Sequence, residues 1–245
     1  MNKPKIFVWL AMFFLLSSPV FAQDGTGEVF TISTSYNNLL SNPEQTGMLD
    51  RILHEVFLRL GMEMELVFTP TEKSLVDVNA GLLDAEMNRI SGMESSFPNL
   101  VQVPEPNMTM HFVAFAKKDL PIDGWESLKD YYIGMVRGWK ILENNTRDFP
   151  HVVRTPTEIE LFTMLQKDRL DAALYSLLTG YAVLKDRGIT GVQHIEPPLA
   201  SRDMYLYVHK KHALLAGPIA EVLREMKADG TYQNIVKETT EGYIQ

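Results

Sequence analysis

Twice along this chain the apolar residues switch between a two-residue and a three-to-four-residue period, and this alternation restricts the fold more than any other feature. The first round opens with EVFTIST at residues 28–34, a strand of alternating character. A loop rich in Asn, Ser, Pro and Gly follows at residues 36–47. Met48, Leu49, Ile52, Leu53, Val56, Phe57 and Leu60 then recur at helical spacing, and Gly61 is placed to end the helix. Residues 63–68 predict a second strand. Thr71 predicts an N-cap for a helix through Ala80, and residues 84–89 predict a third strand. A Pro-rich stretch at 98–106 leads to a strand at 111–116 and a polar turn at 117–123.

The pattern then restarts. Residues 125–131 predict a short helix, 133–136 a strand and 139–146 a helix. Thr157 and Glu160 form a capping-box pair that opens a helix to about Lys167. A strand at 170–175, a helix at 178–187 and a strand at 192–195 follow. Beyond Pro197 and Pro198 come a strand at 204–208 and two closing helices, at 214–228 and 231–237. Alternation of this kind favours a parallel sheet with helices against it. The expected fold is therefore α/β, in two units. The chain leaves the first through the strand at 111–116 and can return through that at 204–208. Two such crossings make a hinge between lobes that close on a cleft.

The N-terminus predicts export. Lys3 and Lys5 precede an apolar run of 11 residues, 6–16, which Ser17, Ser18 and Pro19 interrupt. Val20 and Ala22 stand at the two positions a signal peptidase reads, so cleavage is expected after Ala22. A membrane-spanning helix needs about 20 apolar residues, which this run does not reach. The chain has no cysteine, so no lipid anchor can be attached at the cleavage site and no disulfide can form. A freely diffusing periplasmic monomer is expected. Net charge is −8, and loss of residues 1–22 leaves 21 basic against 31 acidic side chains. That balance argues against nucleic acid and anionic lipid as partners, since both attract basic surfaces.

Four segments together resemble the bacterial extracellular solute-binding proteins of family 3, the periplasmic receptors of ABC importers. They are Gly81 to Ala85 (GLLDA), Trp125 to Gly138 (WESLKD followed by YIGMVRG), Asp168 to Ala173 (DRLDAA), and Leu223 to Ile235 (LREMKADGTYQNI). The resemblance implies the type II periplasmic binding fold, with a signal peptide at 1–22, one lobe from 23–112 plus 206–245 and the other from 113–205. It implies capture of a small solute between the lobes, delivery to a membrane permease, and no chemistry. It also marks departures. Family members that bind amino acids hold the ligand carboxylate with a Thr and an Arg after the first-lobe motif. Here those places are Ser91 and Ser96. The Asp that holds the ligand amine is replaced by Ser176. Both charged clamps are missing from their usual places, so an ordinary α-amino acid is not the expected ligand.

Candidate ligand-binding residues follow from strand ends, where open α/β sheets bind ligands. Arg89, beside Asn88 and Ser91, could grip an anion in a bidentate manner or be tied to Glu86 or Glu94. A buried carboxylate at Glu86 needs a partner, which favours the Glu86–Arg89 pair. Arg137, Gly138 and Trp139 follow a second-lobe strand and open a helix, a setting that attracts anions and offers an aromatic wall. Tyr36, Tyr175 and Ser176 also end strands on the cleft side. No cofactor or metal is expected: His209 and His212 are three apart, but a structural metal site needs more ligands. The expected ligand is a small polar anion. Two other functions remain open: an enzyme resembling the cyclohexadienyl dehydratases of the same scaffold, for which Glu86 and Lys140 could serve as acid and base, and a ligand-carrying partner of a membrane sensor.

Overall fold

The computed structural model describes residues 29–243. The expected signal segment lies outside the described residues. In the first half, β1 (Phe30–Thr34), α1 (Met48–Arg59), β2 (Met64–Phe68), α2 (Thr71–Asn79) and β3 (Ala85–Ile90) form the anticipated alternation. β1 runs parallel to both β2 and β3, with Phe30 opposite Met64 and Ile32 opposite Ala85. The apolar face of α1 is buried from Met48 to Phe57. Its start is fixed by Asp50, whose carboxylate accepts the Gly47 N–H at 3.0 Å and the Asn42 N–H at 3.1 Å. Gly47 itself is dictated by space, because a Cβ there would lie 2.6 Å from the backbone of Leu40 and Ser41. The second helix begins at Thr71, with Pro70 at the N-cap rather than Thr71. Proline's fixed φ suits a helix entrance.

A short strand, β4 (Leu100–Gln102), lies inside the Pro-rich stretch, and β5 (Met108–Ala116) follows. The second half contains β6 (Ile133–Val136), α3 (Lys140–Asn145), β7 (Val152–Thr155), α4 (Glu158–Gln166), β8 (Ala172–Ser176) and α5 (Leu177–Asp186). The Thr157 hydroxyl accepts the Glu160 N–H at 3.2 Å, which is the expected cap. Edge strand β7 was not anticipated, because four residues behind Pro150 carry too short a pattern to register. It pairs in parallel with β6.

β9 (Gln193–His209) joins the halves. The sequence pattern breaks it into two strands around Pro197 and Pro198, yet it runs through both. Phe112 faces Ala200 and Ala114 faces Ile195, so the prolines fall in a register irregularity where they displace no ladder hydrogen bond. The sheet order is β2-β1-β3-β9-β5-β8-β6-β7, with β4 also on β9. β5 and β9 are the two crossings, lying side by side as an antiparallel ribbon. Met204 is the junction, opposite Ile90 on β3 and opposite Met108 on β5. Helices α6 (Ala216–Asp229) and α7 (Thr231–Thr240) return to pack on α1.

The aspartates of the two "D-A" motifs are structural braces. Asp84 accepts the Thr31 N–H at 2.9 Å and the Thr31 hydroxyl at 2.8 Å, and meets Lys211 Nζ at 2.6 Å and His212 Nε2 at 2.8 Å. Burial pushes its pKa up, but these donors outweigh burial and hold the carboxyl well below the usual carboxylate range. Asp171 does the same work in the second half, accepting the Tyr132 N–H at 2.8 Å just ahead of β6. Among the described residues no helix is long and apolar enough to cross a membrane.

Candidate ligand-binding cleft

The carboxyl ends of β1, β3, β6 and β8 all face one cavity between the halves, with a volume of about 670 Å³. The first half contributes Ser35, Tyr36 and Asn38 from the loop after β1, and Asn88, Arg89 and Ile90 from the end of β3. The second contributes Gly138, Trp139 and Lys140 after β6, and Tyr175 and Thr179 at the passage from β8 to α5. The ribbon supplies Met110, Phe112, Arg202 and Met204. The space suits a small organic ligand.

One wall is aromatic. Trp139 and Tyr175 stack with ring centroids 4.5 Å apart and planes at 26°, and Phe112 meets Trp139 edge-on at 5.7 Å. Burial raises the pKa of Tyr175, and the Glu158 charge adds to the effect. Burial likewise raises that of Tyr36, so both phenols stay neutral. On the opposite side Asn88 Nδ2 donates to the Tyr36 hydroxyl at 3.1 Å. Asn88 is 1% exposed, and its Oδ1 has no hydrogen-bond partner among the described groups.

The charges are of one sign. Arg89, Lys140 and Arg202 line the cavity, and no Asp or Glu does. Arg89 meets the Glu86 carboxylate at 2.9 Å, the pairing the sequence favours. Ser74 also donates to Glu86, and burial still raises its pKa to about 7 against the pull of Arg89. Lys140 pairs with Glu143 at 2.9 Å. Arg202, on β9 opposite Met110, has its guanidinium on the Ser201 carbonyl at 2.7 Å and forms no ion pair among the described residues.

Six of the nine candidate residues line this cavity: Tyr36, Asn88, Arg89, Gly138, Trp139 and Tyr175. Three do not. Ser91 lies beyond β3 with its hydroxyl on Gln102 Oε1 at 2.9 Å, exposed to solvent. Ser176 is 2% exposed at the start of α5. Arg137 is exposed, and its N–H donates to the Thr155 carbonyl at 2.9 Å. Gly138 has φ +94°, a conformation that favours glycine. Its N–H is taken by Glu143 Oε1 at 2.8 Å, so the helix start is self-capped. Arg202, Phe112 and Met110 were missed because the ribbon residues carry only a strand pattern, with nothing to show which face meets the cleft. Glu86 does not line the cavity and Lys140 does, so the two groups nominated for acid–base chemistry do not converge there.

No protein-family model matches the chain. It is 27% identical over 187 residues to an uncharacterized protein of Shewanella oneidensis, an overlap covering 71% of this chain and 69% of that protein. Solved structures resemble it more widely. An ancestral cationic amino acid solute binding protein superposes with a TM-score of 0.72 at 18% identity, covering 88% of this chain and 96% of that one. A histidine kinase sensor domain with similarity to periplasmic binding proteins gives 0.69 at 17% identity, over 89% and 98%. The substrate binding protein of an amino acid ABC transporter gives 0.63 at 19% identity, over 86% and 98%. The two α/β halves, the two-strand ribbon between them and the cleft at their strand ends are those of the two-lobed periplasmic binding protein fold.

Proposed function

We propose that this protein is a periplasmic solute receptor that closes its two lobes on a small organic anion, binds it without chemical change and presents it to a membrane permease. One observation carries the choice of ligand charge: three cationic side chains line the cleft and no carboxylate does. Arg89 and Lys140 are each paired with a carboxylate outside the lining, and Arg202 makes no ion pair among the described residues, so the excess positive charge on the lining rests chiefly on Arg202 and favours an anion over a cation. The aromatic wall of Trp139 and Tyr175 suits an apolar or planar body attached to that anion. The N-terminal pattern of basic, apolar and small residues supports the periplasmic setting. The likeness to the substrate binding protein of an ABC transporter supports the permease partner.

The likeness to a histidine kinase sensor domain keeps a second reading, in which the loaded protein docks on a membrane sensor. Loss of labelled-ligand uptake on gene deletion supports import. Unchanged uptake with a lost transcriptional response supports sensing.

The direct test is a thermal-shift screen of organic acids, amino acids and polyols on the purified protein, with mass spectrometry of any molecule that copurifies. An anion should raise the melting temperature, as mass action requires, and Arg202→Ala should weaken its binding. Stabilisation by cations or polyols alone would overturn the reading.

A further inference from the structure

We propose that the cleft continues past Tyr175 into a second chamber, and that the ligand has two ends, an anionic group and, a short chain away, an ammonium group. This deepens the anion reading above and rests on it. A second cavity of about 340 Å³ adjoins the first, and Asn38, Tyr175 and Thr179 line both. It too lies between the lobes, with Asn37 on one side and α4 and α5 on the other.

The charge reverses across the shared wall. The first chamber has three cations and no carboxylate. The second is lined by two carboxylates, Glu158 and Asp186, and one cation, Arg187, an excess of one negative charge, and none of the three makes an ion pair among the described residues. The Glu158 charge is felt at Tyr175, where it adds to burial in raising the phenol's pKa. Two buried polar atoms here make no geometric hydrogen bond: Asn88 Oδ1 beside the first chamber and Thr179 Oγ1, on a residue 5% exposed, in the wall the two chambers share. Leaving such a group unpaired costs about 1–3 kcal/mol, so native structures seldom carry one without a reason. A chain-like ligand that passes the Trp139–Tyr175 stack would span both charges. An unbranched ω-amino acid has that form.

The test is titration calorimetry on the purified protein with ω-amino acids from 4-aminobutanoate to 8-aminooctanoate, beside the plain carboxylic acid and the plain amine of each length. At the fitting length the amino acid should bind at least about tenfold tighter than the plain acid, a gap of about 1.4 kcal/mol. Glu158→Gln combined with Asp186→Asn should abolish that gap and leave affinity for the plain acid in place. Equal affinities for amino acid and plain acid at every length would overturn the second chamber while the anion reading stands. Binding of the plain amine but not the acid, with Arg202→Ala silent, would overturn the anion reading and this proposal with it. No binding by any member would overturn the bipolar ligand.

Discussion

The Gly138 N–H donates to Glu143 Oε1 at 2.8 Å, and the other oxygen of that carboxylate holds Lys140 Nζ at 2.9 Å. Glu143 is thus a carboxylate belonging to the protein, bound to two groups at the edge of a cleft proposed to take carboxylates. Lys140 and the Gly138 N–H hold its pKa below the ordinary value, so it is charged at neutral pH. Glu143→Gln removes the negative charge and should raise affinity for an anionic ligand several-fold, with a gain that shrinks as salt is added. Calorimetry at two ionic strengths measures both effects. A gain independent of salt would point to altered helix geometry instead.

Arg89 serves two purposes, and two variants separate them. Arg89→Ala leaves Glu86, 2% exposed, without its cation. Because the Glu86 pKa is already about 7, the carboxyl takes up a proton, so the cost should be about 1 kcal/mol at neutral pH and grow as pH rises. The double variant Glu86→Gln with Arg89→Ala should recover most of that stability while ligand affinity stays low. Denaturant midpoints and calorimetry read the two quantities independently. Arg137→Ala, by contrast, should leave affinity unchanged, because that side chain lies outside the cavity.

The same buried pair sets a pH dependence. Burial raises the Glu86 pKa from its ordinary value of 4.5 to about 7 in the folded protein. A carboxyl raised in this way takes up a proton more readily folded than unfolded. Its contribution to stability is full below pH 4.5 and is lost as pH rises through about 7. Asp84 acts in the opposite sense. Its pKa is lowered from 3.8, so its contribution is full above that pH and is lost as pH falls below it. Stability should therefore peak on the acid side of neutrality. Glu86→Gln should flatten the decline between pH 4.5 and 7, as followed by melting temperature across that range.

How far the sequence led depended on the kind of signal. Periodic segments were legible, and α1, β3, β6 and α4 lie within a residue or two of where their apolar spacing and caps put them. The cleft was legible where a residue follows a strand: Tyr36, Arg89, Gly138 and Tyr175 are found by counting from strand ends. Contacts that depend on register were not. Met110 and Arg202 face one another across β5 and β9 only because the ribbon slips at Pro197 and Pro198. The self-capping Glu143 was hidden for a related reason. Nothing in a sequence tells whether a charge five residues along will turn back to the main chain or outward to solvent.

The two "D-A" motifs give a last test, since a motif shared with solute-binding proteins invites a ligand role and the structure gives it a bracing one. Asp84 is 8% exposed and holds four donors from three residues: Thr31 on β1, and Lys211 and His212 in the turn after β9. Asp171 is exposed, and its carboxylate accepts the Tyr132 N–H. The cost of removal should follow this difference. Asp84→Ala removes four charge-assisted bonds to half-buried and exposed donors and should cost about 2–3 kcal/mol. Asp171→Ala gives up one bond that water can replace, and should cost about 1 kcal/mol. Neither residue lines the cavity, so neither change should shift ligand affinity while the protein is folded. Urea midpoints give the ranking, and calorimetry well below the melting temperature gives the affinity. A binding loss in Asp171→Ala at unchanged stability would return the motif to the ligand site.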